Sequence, residues 1–236
     1  MVRVLLNMLN YFDEYRKEVN MSIKRKTLGI CPKCGAELEL EIWDSVDGVF
    51  HPEEKEKIMK NELFKKKCEK CGSEISLEYP CRFEDRDMHI MIYLIPKHTE
   101  EHLNELNEDL SLIEQPNMME PTKYRVVDTS DELIEKIVIF GNHKQDRPIE
   151  LCKKKALKEA CKDNGKLSPK AILYNHDKSG EYFLFVGCED EDGNTLTVPF
   201  DSEVYKGLDF ELVNRNAYKE GKYEVIDSQW AKSLMK

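Results

Sequence analysis

The chain has 236 residues, 46 acidic side chains against 36 basic ones, a formal net charge of −10, and 40% apolar residues. That apolar fraction supplies a core and excludes a disordered chain, and the acidic balance disfavours a nucleic-acid or anionic-membrane binder unless a local basic patch exists. Eight cysteines, with no export leader expected, point to a reducing compartment, the cytoplasm.

In chain order, residues 1–27 read as an N-terminal extension. Leu5, Leu9 and Phe12 fall near helical spacing, so the segment is either a short amphipathic helix or, with Met21 as a second start, no part of the native protein. Residues 28–96 read as one compact module. Leu38 to Val46 alternates with period two, which predicts a strand, and Asp47-Gly48 predicts a turn. Pro52 followed by Glu53 and Glu54 predicts a helix reaching about Asn61, because proline suits the first turn and carboxylates suit its positive end. Glu74 to Tyr79 alternates again, and Met88 to Leu94 is a denser apolar strand closed by Pro96. That stretch, about Ile90 to Pro96, is the longest apolar run downstream of the extension, far below the ~20 residues needed to cross a bilayer.

Residues 97–121 read as an acidic linker carrying a surface helix striped by Leu103, Leu106, Leu110 and Ile113. The remainder, 122–236, reads as a C-terminal α/β domain. Its predicted helices are Asp131 to Phe140 and Asp146 to Lys162, the second burying Ile149, Cys152, Ala156, Leu157 and Ala160. Its predicted strands are Ala171 to Tyr174, Tyr182 to Cys188 and Thr195 to Phe200. The fold class is α+β, an N-terminal zinc-ribbon-like module with an inserted helix followed by a C-terminal α/β module.

One short motif occurs twice, C-P-K-C-G at Cys31 to Gly35 and C-E-K-C-G at Cys68 to Gly72. Two thiolates separated by two residues can face one ion from a tight knuckle whose backbone N–H groups bond to the sulfurs. The following glycine can take positive φ as the chain turns into a strand. Cys31, Cys34, Cys68 and Cys71 are therefore the expected ligands of one Zn2+, with the helix after Pro52 filling the long gap between the pairs. Redox chemistry or disulfides in the C-x-x-C pairs are the alternatives, weakened by the doubling of the motif and by the compartment. Four thiolates close a tetrahedral shell and leave no position for a reacting water, so the expected zinc is structural.

Together with these knuckles, the segments E-I-W-D-S-V, H-P-E-E-K-E-K-I-M-K-N-E-L-F, E-Y-P and M-I-Y-L-I-P resemble the CpXC domain, a prokaryotic family named for its paired cysteines. Y-R-V-V, D-E-L-I-E-K-I-V-I-F and D-R-P-I-E-L-C-K resemble segments that follow that domain, so the likeness covers most of residues 28–155. The second pair, C-E-K-C, lacks the family's proline but keeps both thiols. The resemblance implies a metal-binding domain with Cys31, Cys34, Cys68 and Cys71 as ligands, and it implies no particular reaction.

Other residues carry weaker signals. His98 to His102 spells H-x-x-E-H, formally an inverted zincin motif, against the plainer reading of a solvated helix face. Cys152 and Cys188 read as small core residues; a Cys–His catalytic pair with His143 or His176 is the sharper alternative. His51 reads as the helix entry before Pro52, Cys81 and Cys161 carry no assigned role, and Asp146, Arg147 and Glu150 read as a helix cap with a salt bridge. The basic runs Lys24 to Lys26, Lys65 to Lys67 and Lys153 to Lys155 are candidate phosphate contacts offset by neighbouring acids. The expected function is that of a binding or adaptor protein with an unknown protein partner. The alternatives are a nucleic-acid-associated zinc ribbon, or an enzyme whose site lies in residues 122–236 around Cys188 or Asp146.

Overall fold

The computed structural model of the chain describes residues 2–3, 22–112, 121–190 and 192–234. The expected helix around Leu5, Leu9 and Phe12, and Ile113 of the linker stripe, lie outside the described residues. Two units are resolved, the first comprising Met1–Ile134 with Gly221–Glu224 and the second Glu135–Glu220 with Val225–Lys236.

The first unit carries two sheets. In the larger, β2 (Ile23–Ile30), β3 (Glu37–Asp47), β6 (Cys81–Asp85), β7 (Ile90–Leu94) and β8 (Lys123–Val127) lie side by side in that order. The β2–β3 and β6–β7 pairs are antiparallel, and β3–β6 and β7–β8 are parallel. β3 begins E-L-E-L-E-I, and its alternation buries Leu38, Leu40 and Ile42 while the glutamates between them face water. Phe83, Ile92 and Val126 from the central and far strands complete this core. The smaller sheet has the order β1 (Val2–Arg3), β5 (Glu74–Glu78), β4 (Lys65–Lys67), with β4 and β5 antiparallel.

Helix α1 (Pro52–Met59) carries its proline in the first turn and Glu53 and Glu54 beside it, with His51 as N-cap residue. Helix α2 (Glu100–Ser111) follows the Thr99 N-cap, buries Leu106 and Leu110, and grips the chain near its C-terminal end. There the Asn107 amide donates to the Tyr223 carbonyl and accepts from the Tyr223 N–H, at 3.2 and 2.7 Å. Tyr223 in turn packs edge-on against Tyr93 and Tyr124.

The chain passes from the first unit to the second within helix α3 (Ser130–Gly141). In the second unit, helix α4 (Asp146–Asn164) buries Ile149, Cys152, Ala156 and Ala160 at helical spacing. Strands β9 (Ala171–Asp177), β10 (Gly180–Glu189) and β11 (Thr195–Pro199) form an antiparallel sheet with β10 central. Tyr174, Phe183 and Phe200 pack edge to face in its core. Helices α5 (Ser202–Asn214) and α6 (Ser228–Leu234) complete the unit. The fold is thus α+β, with six helices and three sheets among the described residues and a four-cysteine cluster toward the N-terminus. Among those residues no helix is long and apolar enough to cross a membrane.

Candidate metal centre

Each cysteine motif forms the tip of a hairpin. The first joins β2 to β3, whose last pair is Ile30 with Glu37; the second joins β4 to β5, whose last pair is Lys67 with Glu74. The two tips share one backbone pattern. The Cys31 N–H donates to the Ala36 carbonyl at 2.8 Å and the Gly35 N–H to the Cys31 carbonyl at 2.9 Å. Cys68 to Ser73 repeats these bonds at 2.9 and 2.8 Å. Gly35 and Gly72 close the turns at φ of 69° and 71°, the left-handed region that glycine occupies without a side-chain penalty.

The tips bring four sulfurs together. All four Sγ atoms lie within 4.8 Å of one another, an arrangement that could hold a metal ion. Two approaches cross between the tips, Cys31 to Cys71 and Cys34 to Cys68, both at 3.7 Å. That separation is far beyond a disulfide bond of about 2.05 Å, and all eight cysteines of the chain are free thiols. Cys31 and Cys68 are buried, whereas Cys34 and Cys71 are half-exposed.

The local field suits thiolates only in part. Burial pushes the Cys31 thiol up, but N–H groups of Cys34 and Lys33 and the Ser73 hydroxyl outweigh it and hold it down at about 6. Ser73, through its hydroxyl and its N–H, also draws Cys71 below the ordinary thiol value. Cys34 receives the Ala36 N–H, yet burial and the three facing sulfurs hold it up at about 11. Four sulfurs so close repel one another as thiolates, and a cation among them removes that penalty. The donor set, four soft sulfurs with backbone N–H groups aimed at them, fits a thiophilic metal.

The remaining sequence signals separate clearly. His98 and His102 do not form a metal pair: Thr99 between them is the helix N-cap, so His98 lies outside the helix. Its Nδ1 meets Asp128 at 2.8 Å, and His102 Nδ1 accepts the Thr99 N–H in a capping box. His51 Nδ1 and the Ser22 hydroxyl share a hydrogen bond at 2.8 Å. Cys81 and Cys152 are buried, and burial pushes the Cys152 thiol up to about 12, an inert core sulfur. His176 Nδ1 bonds to Asn142 and lies in β9, and Cys188 lies near the end of β10.

The Asp146, Arg147 and Glu150 cluster differs from a cap. The N-cap of α4 is Gln145, whose side chain makes no capping bond, and Asp146 is the first helical residue. Its carboxylate instead meets Lys136 Nζ at 3.1 Å, inside a network that sequence reasoning did not anticipate. Lys153 bridges Glu135 at 2.8 Å and Glu150 at 2.6 Å, and Arg147 meets Glu220 at 2.8 Å. Glu135, Lys136, Asp146, Arg147, Glu150 and Lys153 are all buried. Lys153 is therefore no phosphate contact, and in the other basic runs Lys24 pairs with Glu41 and Lys65 with Glu74. Lys153 reads as part of a surface run because three consecutive lysines hide the one that a helix turns inward.

Sequence reasoning also passed over Ser73, although aligning the two motifs places it opposite Ala36. A family model described as CpXC protein matches residues 30–153. The chain matches no curated protein and no solved structure.

Proposed function

The chain belongs to the CpXC family, and from that premise we propose that Cys31, Cys34, Cys68 and Cys71 hold one Zn2+ as a structural ion. The ion organises the two hairpin tips of the first unit as a zinc-ribbon-like module. The protein acts as a binding or adaptor protein for a protein partner in the cytoplasm. One observation carries the zinc assignment: the crossing sulfur pairs stand 3.7 Å apart. A Zn–S bond of about 2.3 Å puts the sulfurs of a tetrahedral shell about 3.8 Å apart. When bound, the ion supplies cross-linking and charge neutralisation, and its four protein ligands leave no position for a reacting water.

Elemental analysis of reduced, purified protein tests this directly. One zinc per chain is expected, with loss of the metal in C68S; absence of stoichiometric metal overturns the assignment. The partner class is tested by affinity capture from the native host with and without nuclease. A protein retained after nuclease supports the adaptor role, whereas capture that disappears with nuclease assigns the module to nucleic acid.

A further inference from the structure

The two hairpin tips are copies of one backbone, and their differences sort the four sulfurs. Cys31 and Cys68 are buried beneath the tips, so a reagent in solution meets Cys34 and Cys71. These two occupy equivalent positions, each second in its C-x-x-C, each receiving the N–H two residues on, from Ala36 or from Ser73. They part at the side chain of that same residue. The Ser73 hydroxyl lies 2.9 Å from Cys71 Sγ and 3.7 Å from Cys31 Sγ, whereas Ala36 presents only a methyl group beside Cys34.

Resting on the zinc reading, we propose that Cys34 is the modification site of the centre, the thiolate at which a soft electrophile opens it, and that Ser73 shields Cys71. A hydroxyl donating to a thiolate occupies a sulfur lone pair and stabilises the unreacted state. A hydrogen bond to an ionised group of this kind slows attack on the order of tenfold. Ala36, the residue equivalent to Ser73, offers Cys34 no hydroxyl, so its nucleophilicity is not lowered in this way. In the reaction, the Cys34 Sγ lone pair adds to the activated carbon–carbon double bond of the electrophile. One C–S bond forms, the π bond breaks, and the neighbouring carbon takes a proton from water. The sulfur becomes a thioether and gives up its place on the ion.

The test uses the metal-loaded full chain and limiting N-ethylmaleimide, with the label mapped by mass spectrometry at each cysteine and released metal followed by a chromophoric chelator. N-ethylmaleimide is neutral, so the exposed Glu69, where the first loop has Pro32, does not steer it. Label at Cys161 and Cys188, half-exposed thiols outside the two motifs in sequence, is read separately. Metal release is expected to track the label at Cys34, with Cys71 modified on the order of tenfold more slowly. S73A is expected to raise Cys71 to the rate of Cys34 without loss of initial metal content, and A36S to slow Cys34. Modification of Cys71 first, equal rates in the native chain, or label at Cys34 without metal release each overturns the assignment. A preparation with no metal before labelling overturns the zinc reading instead, and this assignment falls with it.

Discussion

Glu150 sits in the second unit with its carboxylate between lysines and another acid. Burial pushes it above the ordinary glutamate value of 4.5, and Glu135 adds to the rise against the pull of Lys153 and Lys136. A carboxyl so raised holds its proton in the folded state at a pH where the unfolded chain has lost it. The stability it contributes is full below 4.5 and is lost as pH rises through the raised value. Glutamine has no such titration. The stability of the native chain relative to E150Q is therefore expected to fall as pH rises from acid toward neutrality, measured by urea denaturation at a series of pH values. A difference that stays constant or widens contradicts this placement. Lys153 carries the complementary role. Its two carboxylate partners raise its own affinity for a proton over the opposing effect of burial. K153M leaves Glu135 and Glu150 buried without it, and an unpaired buried charge costs roughly 3–5 kcal/mol. A denaturation midpoint unchanged in K153M refutes the network as drawn.

The hairpin tips show how an element concentrates what single residues cannot do. Gly35 and Gly72 have no atom within 4 Å of an added Cβ, so alanine there meets no neighbour and its cost is purely conformational. A left-handed non-glycine residue costs about 1–2 kcal/mol. G35A and G72A are each expected to destabilise the module by that amount, seen as a lower melting temperature with metal content retained. These tips were legible in the sequence because the chemistry is local: paired cysteines, turn glycine and flanking strand all fall within a dozen residues. The alternation of β3, the proline at the head of α1 and the apolar face of α4 were legible for the same reason. What escaped depends on remote partners. β4 is three lysines, a strand only because β5 lies beside it, and β2 begins with three consecutive basic residues after Ile23, which breaks the apolar alternation. Glu135 and Lys153 stand 18 residues apart, and nothing in the local pattern announces their bridge. His98 and His102 have motif spacing, but the Thr99 cap starts the helix between them and separates their roles.

At the scale of the whole chain, the four-cysteine cluster and the buried charges belong to different units, and the two tryptophans report on them separately. Trp43 lies in β3 in the first unit, and Trp230 in α6 in the second. Each ring is half-buried, so each responds to the loss of its own surroundings. In the first unit the second tip hangs on the three-residue strand β4, and a hairpin that small is at best marginal in water. Against that, a bound structural zinc supplies roughly 10–16 kcal/mol. Removing the ion is therefore expected to unfold the sheets of the first unit, while the second unit keeps aromatic packing and ion pairs that involve no metal. Chelation of W230F, in which Trp43 alone emits, is expected to shift its fluorescence to the red. Chelation of W43F is expected to leave Trp230 unchanged. A shift in both variants means that the ion supports the entire chain, and a shift in neither means that the first unit folds without it.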